Sequence, residues 1–422
     1  MTLAALIPLE TRAGIAALTF AAAMVPLLAP GAFATSFEQT NLVSDLPGLA
    51  ANQDPNLVNP WGMATNGGSP FWISDQGANV ATLYNGAGVP QPPGQQLVVS
   101  TPLGPTGVVA NPDILGGSFP LINPPTSPAA VFIFATLSGQ IAGWNPGVGN
   151  TLGPNGASTV TQTRFAAPDN AAYTGLATAS FPAGTGTFLY AADFRNGKID
   201  ILNSNFAKVT TIPGGPSQPF TDPTLPKGYA PYNIQTLNGK LYVTYAKVDP
   251  VTGKASAGAG QGFVNVFNLD GSPGLPNGLV RLVSNGSLNA PWGLAIAPAG
   301  FGEFAGALLV GNNGDGTIDA FDPTSGLFVG TLLDPMGNPI ANSGLWALRI
   351  GNGGAGFDPN ALYFDAGING EFDGLFGEIQ VAPSSVPGPI AGAGLPGLIL
   401  AGGGLLAWWR RFGGRSPEKH SA

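Results

Sequence analysis

The chain has 422 residues, of which 44% are hydrophobic and 9% charged, with 64 Gly and 41 Pro; this excludes disorder and favours many short strands joined by tight turns. Cysteine is absent and His420 is the single histidine, which excludes disulfides, thiolate chemistry and histidine-dependent sites in the folded domain. Residues 35–386 contain 21 acidic and 10 basic residues, which argues against nucleic acid and anionic membrane surfaces as partners.

The N-terminal segment 1–34 has the features of a secretory signal peptide. Arg12 precedes an apolar run over residues 13–29, and Ala32 and Ala34 supply the small residues of a cleavage site. The alternative is an uncleaved membrane anchor. Because the apolar run is short and a cleavage site follows it, the pattern favours removal after export by the Sec machinery.

A repeated hairpin pattern covers residues 35–383. In each repeat a short strand ends in Asp or Asn, turns through Gly or Asn, and continues into a strand with alternating apolar residues. The clear examples are 72–85, 189–203 and 308–322, and the looser ones are 131–145, 241–268 and 362–381. A further strand precedes each hairpin and another follows most of them. Six units of four strands, at roughly 55–65 residues each, predict a β-propeller.

The two ends of this region predict how the ring closes. The last unit runs out of chain after its third strand, near Val381, whereas segment 38–44 supplies a spare strand. The order of segment 42–45 before Trp61 matches that of segment 282–285 before Trp292. The N-terminal strand therefore completes the last blade and removes its free edge. The predicted fold class is all-β: a single six-bladed β-propeller closed by the N-terminal strand, with an N-terminal signal helix and a C-terminal transmembrane helix.

The hairpins resemble NHL-type repeats, in which an apolar strand ends in Asp and a turn leads into a strand of the form I-x-x-F/L-N/D. Over its whole length the chain is also similar to an uncharacterised family of exported bacterial propellers. The segments that carry this resemblance are NLVSD (41–45), NPWG (59–62) and PTGVVAN (105–111). The resemblance implies a propeller fold and export, and it implies no particular activity.

The C-terminal segment 384–422 has a second targeting pattern. Residues 389–409 carry no charge and are long enough for a transmembrane helix, and a basic end (410–415) follows; a buried core helix is the alternative. The segment resembles a PEP-CTERM sorting signal, which has Glu where this chain has Gly388. The residues that carry the resemblance are Val386, Pro387, Gly388, Pro389, Arg410 and Arg411. The resemblance implies inner-membrane anchoring, processing by an exosortase-type enzyme, and delivery to the cell surface or extracellular matrix of a Gram-negative bacterium.

The polar residues at the strand ends can be interpreted in two ways, as metal ligands or as turn caps. Asp75, Asp193, Asn312 and Asp365 end corresponding strands of different blades, so they form either an oxygen-rich Ca²⁺ site at one rim or separate turn caps. Recurrence along the repeats favours turn capping. The loop after Asn312 adds Asn313 and Asp315 to the metal candidates, although it lacks the distal Glu of a calcium loop. No other cofactor is indicated.

Aromatic residues at the start of the first strands predict a ligand channel. Trp61, Trp292 and Trp346 recur there, and Tyr232 and Asn233 fall at the corresponding place in the fourth blade. Exposed aromatic residues would stack on sugar rings, whereas buried ones would pack between blades. The channel of a propeller is in either case the default place for a ligand.

Two further segments carry open alternatives. Glu371 and Asp373 are either the paired carboxylates of a hydrolase or simply solvated. The insertion 247–262 interrupts the fourth blade and is either a functional loop or a linker.

The sequence favours a non-enzymatic, exported surface or matrix protein that binds a polysaccharide, a surface protein or Ca²⁺ through one propeller face. The alternative is a metal- or carboxylate-dependent hydrolase of a lactone or glycan, with its site in the channel. A purely structural coat component is the third hypothesis.

Overall fold

The computed structural model describes residues 35–383, except 124 and 182–184, together with residue 411. The predicted signal segment with Ala32 and Ala34 lies outside the described residues. So do the predicted transmembrane helix 389–409 and the sorting residues Val386, Pro387, Gly388, Pro389 and Arg410. Arg411 is described and exposed. Among the described residues, no helix combines the length and hydropathy that crossing a membrane requires.

Six antiparallel sheets form the blades of a six-bladed β-propeller. The N-terminal segment begins with β1 (Phe37–Ser44) and β2 (Asn52–Gln53). The first blade contains β3 (Pro60–Ala64), β4 (Phe71–Asp75), β5 (Val80–Tyr84) and β6 (Val99–Ser100). The second contains β7 (Pro105–Ala110), β8 (Phe132–Thr136), β9 (Gln140–Trp144) and β10 (Gln162–Ala166). The third contains β11 (Tyr173–Ser180), β12 (Thr187–Asp193), β13 (Lys198–Leu202) and β14 (Lys208–Val209).

The remaining blades follow the same order. The fourth contains β15 (Tyr229–Leu237), β16 (Lys240–Val248), β17 (Ala255–Ser256), β18 (Gly262–Phe267) and β19 (Arg281–Ser284). The fifth contains β20 (Pro291–Ile296), β21 (Leu308–Asn312), β22 (Ile318–Phe321) and β23 (Phe328–Thr331). The sixth contains β24 (Leu345–Ile350), β25 (Leu362–Ala366) and β26 (Leu375–Val381). Short helical turns occur at Pro154–Gly156, Pro276–Gly278, Gly302–Phe304 and α1 (Ile368–Glu371).

The N-terminal strand closes the ring, as the sequence predicted. Strand β1 pairs antiparallel with β26, with Phe37 opposite Val381 and Ser44 opposite Leu375. The Phe37 side chain is fully buried, and its ring centroid lies 4.9 Å from that of Phe301, which precedes β21 in the fifth blade. The two ends of the propeller are thus joined by hydrogen bonds and by apolar packing, and the β26 edge is covered.

The hydrophobic core lies between neighbouring blades. Six clusters of buried side chains occupy these spaces in the described part of the chain. Between the first and second blades, for example, Trp72 stacks on Phe132 with ring centroids 4.5 Å apart, and Trp144 packs beside them. Alternation along each strand supplies these apolar faces, because successive side chains point to opposite sides of a sheet.

The first strand of each blade lies next to the first strands of the neighbouring blades, and together the six surround the central channel; they are β3, β7, β11, β15, β20 and β24. Glycine residues allow these first strands to approach one another closely. Each first strand contains a β-bulge near its start. Just after the first residues, four of the six strands have a glycine: Gly62, Gly107, Gly175 and Gly293. A Cβ atom at Gly62 would lie 2.4 Å from the carbonyl oxygen of Thr106, and one at Gly293 would lie 2.4 Å from that of Trp346. The next blade's backbone therefore occupies the space that a side chain would need.

Candidate functional site

Four aromatic residues of the first strands meet inside the channel. Trp61 and Trp346 stack with ring centroids 3.6 Å apart, and Trp292 stands edge-on to Trp346 at 5.8 Å. Tyr232 packs against Trp346 at 5.8 Å. All four side chains are buried. These residues, named here the aromatic partition, divide the channel into two cavities.

The indole N–H groups of the partition differ in their hydrogen bonding. Trp292 donates to the carbonyl oxygen of Thr174 and Trp346 donates to Oδ1 of Asn59, each at 3.0 Å. The Nε1 atom of Trp61 is buried and has no partner among the described residues. A buried donor without an acceptor costs about 1–3 kcal/mol, so the packing of Trp61 against Trp346 is obtained at the expense of this hydrogen bond.

The larger cavity, the mouth pocket, lies on the side of the partition where the first strands begin. Its volume is about 480 Å³, within the usual range for small-ligand sites. Aromatic and apolar side chains are combined there with amides and three charged groups. The lining residues are Asn59, Trp61, Gln76, Leu137, Ala172, Thr174, Phe194, Arg195, Tyr232, Thr252, Gly253, Lys254, Ala255, Asn313, Trp346, Gly370, Glu371 and Phe372.

A strained turn forms one wall of the mouth pocket. Asn369, Gly370 and Glu371 have φ angles of 53°, 71° and 71°. Asn and Gly adopt this left-handed backbone readily but Glu does so rarely, so the strain lies at Glu371, and such strain concentrates at ligand sites. The turn presents Phe372 with 80% of its surface exposed. Burial raises the pKa of the neighbouring Glu371 carboxyl, and the positive charge of Lys254 partly offsets that rise.

The insertion in the fourth blade forms another wall. Strand β17 pairs with β16, so the segment folds back on the blade as a hairpin. Oδ1 of Asp249 accepts hydrogen bonds from the N–H groups of Val251 and Thr252, both at 2.8 Å. These bonds fix the turn that brings Lys254 to the pocket.

The smaller cavity, the channel chamber, lies on the other side of the partition. Its volume is about 200 Å³, and it shares no lining residue with the mouth pocket. The chamber is bordered by Gly62, Met63, Ala64, Gly107, Val108, Val109, Ala110, Leu176, Ala177, Thr178, Asn233, Ile234, Gln235, Thr236, Trp292, Ala347, Leu348 and Arg349. Asn233 is held there by a hydrogen bond from its Nδ2 to the carbonyl oxygen of Trp292, at 2.9 Å.

The predicted ring of strand-end oxygens is not one assembled set. Asp75, Asp193 and Asn312 lie opposite Pro60, Tyr173 and Pro291, which are equivalent residues of the first strands. In the sixth blade Ala366 lies opposite Leu345, the residue equivalent to Pro60. Asp365 is therefore offset by one residue from the strand-end position of the other blades. A one-residue offset puts a side chain on the other face of the sheet. The predicted equivalence of Asp365 is therefore wrong.

Each of the four residues makes local hydrogen bonds instead. The carboxylate of Asp75 accepts from Oγ1 of Thr82 at 2.7 Å, and that of Asp193 accepts from Nδ2 of Asn196 at 2.7 Å. Asn312 donates to Oδ2 of Asp319 at 2.9 Å, and Asp365 accepts from the N–H of Ala347 at 2.7 Å. In the loop after Asn312, Asp315 accepts from Asn289, while Asn313 donates to Leu345 and lines the mouth pocket.

One acidic group among the described residues is close enough to share an ion, and it contains Asp169, Asp193 and Asp200. Lysine side chains already neutralise it. Nζ of Lys198 lies 3.2 Å from Asp200 and 3.7 Å from Asp193, and Nζ of Lys208 lies 2.8 Å from Asp200. The positions a cation would take are held by these ammonium groups.

Two buried carboxyls have an unusual environment. Oδ1 of Asp75 and Oδ2 of Asp365 have no hydrogen-bond partner among the described residues. Burial raises the pKa of both groups well above the ordinary value. A raised pKa means that the folded state binds the proton more tightly than the unfolded chain does. The contribution of each protonated carboxyl to the free energy of unfolding is therefore fully present below the ordinary carboxyl pKa. It is lost as the pH rises through the raised pKa.

We expect Asp365→Asn to remove part of this pH dependence. Above the raised pKa the variant should exceed the wild type in free energy of unfolding by at least about 1 kcal/mol, because it buries no unpartnered charge. Urea unfolding at a series of pH values from acid to alkaline measures the difference. Asp322→Asn is the matched control of opposite sign, because backbone N–H groups of Ser325 and Thr324 lower the pKa of Asp322. If the free energy of unfolding depended on pH in the same way for the wild type and Asp365→Asn, Asp365 would not be the buried carboxyl with a raised pKa.

Sequence reasoning identified part of the pocket wall. Trp61, Tyr232 and Trp346 line the mouth pocket, and Trp292 and Asn233 border the chamber. Asn313, predicted only as a metal candidate, also lies in the mouth-pocket wall, as does Glu371. Asp373 does not; its Oδ2 accepts a hydrogen bond from Nδ2 of Asn369 at 2.8 Å. Lys254 belongs to the insertion 247–262, for which a functional loop was one of two alternatives. The residues not singled out include Gln76, Arg195 and Phe372. They lie on loops, where no repeat pattern marks their direction.

No family model matches the chain. Uncharacterized protein R648 of Acanthamoeba polyphaga mimivirus is 32% identical over 357 residues, covering 82% of this chain and 80% of its own. Uncharacterized protein L690 of the same virus is 31% identical over 341 residues, covering 80% and 84%. A solved glucose dehydrogenase aligns with a TM-score of 0.47 and 15% identity, covering 82% of this chain and 100% of that one. A streptogramin B lyase aligns with a TM-score of 0.43 and 10% identity, covering 82% and 97%. At this level of similarity, neither structure bears on the chemistry of this chain.

Proposed function

We propose that this chain, which belongs to the family that includes the mimivirus proteins R648 and L690, is a binding module for a polysaccharide that occupies the mouth pocket. One observation carries this proposal: the mouth pocket combines the exposed ring of Phe372 with amide and charged side chains.

This combination suits the chemistry of a sugar. A pyranose ring has apolar C–H faces that stack on aromatic rings, and hydroxyl groups at its edge that need hydrogen-bond partners. The exposed ring of Phe372 offers a stacking face at the rim. Gln76 and Asn313 add amides. A few placed polar groups in a mainly apolar wall are typical of small-ligand sites.

The carboxyl groups favour binding over hydrolysis. Most glycoside hydrolases use two carboxyl groups on opposite sides of the scissile bond. Glu371 is the one acidic residue among the described residues that line the mouth pocket. We therefore place the hydrolase hypothesis second.

The proposed setting is the exterior of the cell. Residues 1–34 would direct export by the Sec machinery, and the tail 384–422 would direct anchoring and processing by an exosortase-type enzyme. The support is the residue pattern of both segments, including Arg410 and Arg411 after an uncharged run. A surface or matrix location would give the mouth pocket access to extracellular polysaccharide; a surface protein is the other partner considered.

Binding of the full chain to an array of bacterial and plant oligosaccharides tests this function. We expect retention of at least one oligosaccharide class. We also expect Phe372→Ala to weaken binding about tenfold, because an aromatic contact of this kind contributes about 0.5–1.5 kcal/mol beyond its buried area.

Phe328→Ala is the matched control. Phe328 is 53% exposed and lies on the outer strand β23, away from the pocket. Its variant should bind as the wild type does. No retention on the array, or retention that both variants leave unchanged, would overturn the proposed function.

A further inference from the structure

The channel chamber contains an arginine at a place where most blades have a small residue. The pairing registers of the first and second strands make six residues equivalent: Ala64, Val109, Ala177, Gln235, Ala295 and Arg349. Four of them are Ala or Val, and these short side chains pack in or against the hydrophobic clusters between the blades. The fourth and sixth blades place a Gln and an Arg at the same level. All but Ala295 border the chamber.

Arg349 has few partners inside the protein. Its one hydrogen bond to the described residues runs from Nη1 to the carbonyl oxygen of Met63, at 3.3 Å. The ion pairs of the described residues involve Lys198, Lys208 and Arg281, and none provides Arg349 with a carboxylate. A guanidinium carries five N–H donors, so most of them remain free to face the chamber.

The surroundings make this arrangement unfavourable without a counter-ion. Arg349 keeps partial solvent access where it borders the chamber, yet enough protein surrounds it that burial lowers the pKa of its guanidinium. Partly buried charges in proteins are ordinarily paired. The Gln235 side chain, which borders the same chamber from the fourth blade, is also partly accessible and makes no hydrogen bond to the described residues. Both groups therefore offer donors to something that enters the chamber.

We propose that the channel chamber is a second ligand site, distinct from the mouth pocket, which binds a small oxyanion through the guanidinium of Arg349 and the amide of Gln235. A planar guanidinium matches the paired oxygens of a carboxylate or a phosphate. The chamber volume of about 200 Å³ restricts the ligand to a small molecule, because drug-sized ligands occupy roughly 300–1,000 Å³. The aromatic partition separates this ligand from the one in the mouth pocket.

The test is calorimetric titration of the full chain with inorganic phosphate and, separately, with acetate, in chloride-free buffer. We expect binding of at least one anion, and a melting temperature that rises by several degrees at saturation. Arg349→Gln should weaken binding at least tenfold. The better of the two anions then distinguishes a phosphate ligand from a carboxylate one.

Lys227→Gln is the control, because Lys227 is exposed and lines neither the chamber nor the mouth pocket. Its variant should bind the anion as the wild type does. The melting temperature of Arg349→Gln without added anion should equal or exceed that of the wild type, which separates lost binding from lost folding. Absence of binding by both anions, or equal binding by the wild type and Arg349→Gln, would overturn the proposal. Neither result bears on the mouth pocket.

Discussion

Replacing Phe37 by alanine is expected to lower the free energy of unfolding by about 3–5 kcal/mol, the usual cost of deleting a buried aromatic ring. The Phe37 side chain is fully buried, with ring centroids 4.9 Å from Phe301 and 5.7 Å from Phe304. Strand β1 lies next to β26 in the closing blade, so loosening β1 exposes the β26 edge as well as a cavity. Urea unfolding followed by circular dichroism measures the change.

Phe372→Ala is the matched control for this prediction. It deletes the same side chain from a position that is 80% exposed. A surface change of this kind stays within about 0.5 kcal/mol of the wild type. Equal losses in the two variants would show that the N-terminal strand does not close the ring as described.

The second large effect is expected from Gly62→Ala. The added Cβ would lie 2.4 Å from the carbonyl oxygen of Thr106 and 3.0 Å from the N atom of Val108. Both are backbone atoms of the next blade, so relief requires a blade to move. Overpacking of this kind costs about 1–3 kcal/mol, and the rigid neighbour places this site at the upper end. Thermal and urea unfolding of the two proteins measure the loss.

Gly147→Ala provides the comparison for Gly62→Ala. Gly147 is exposed, and the nearest atom to its added Cβ would be Oδ1 of Asn145 at 3.5 Å. We expect this variant to stay within about 0.5 kcal/mol of the wild type. If Gly62→Ala were equally mild, the close approach of the first strands would not be a constraint on the ring.

The propeller could be predicted because its blades repeat. Period-2 alternation and Gly/Asn turns recur along the chain, and each repeat strengthens the interpretation of the others. The closing strand was found in the same way, through the match between segments 42–45 and 282–285. The position of Asp365 was misjudged because β25 ends at Ala366, one residue after the Asp, and it is Ala366 that lies opposite Leu345. The repeat pattern alone does not show which of two consecutive residues ends the strand.

The ligand sites were only partly predictable. The recurrence of Trp61, Trp292 and Trp346 indicated the channel, but whether they lined it or filled it depended on packing. Arg349 was missed although a signal was present: it takes the place of a small residue in the repeat. The loops that carry Lys254 and Phe372 have no counterpart in the other repeats. Their approach to the mouth pocket is therefore seen only in the folded structure.

A glycan bound in the mouth pocket should protect the two loops around it from hydrogen exchange. Hydrogen–deuterium exchange of the full chain, with and without an oligosaccharide selected on the array, tests it most directly. We predict slower exchange at the backbone amides of 249–255 and 368–372, the two loops that wall the pocket, with little change elsewhere. Protection confined to other parts of the propeller, or no protection at a saturating concentration of a bound oligosaccharide, would contradict glycan binding in the mouth pocket.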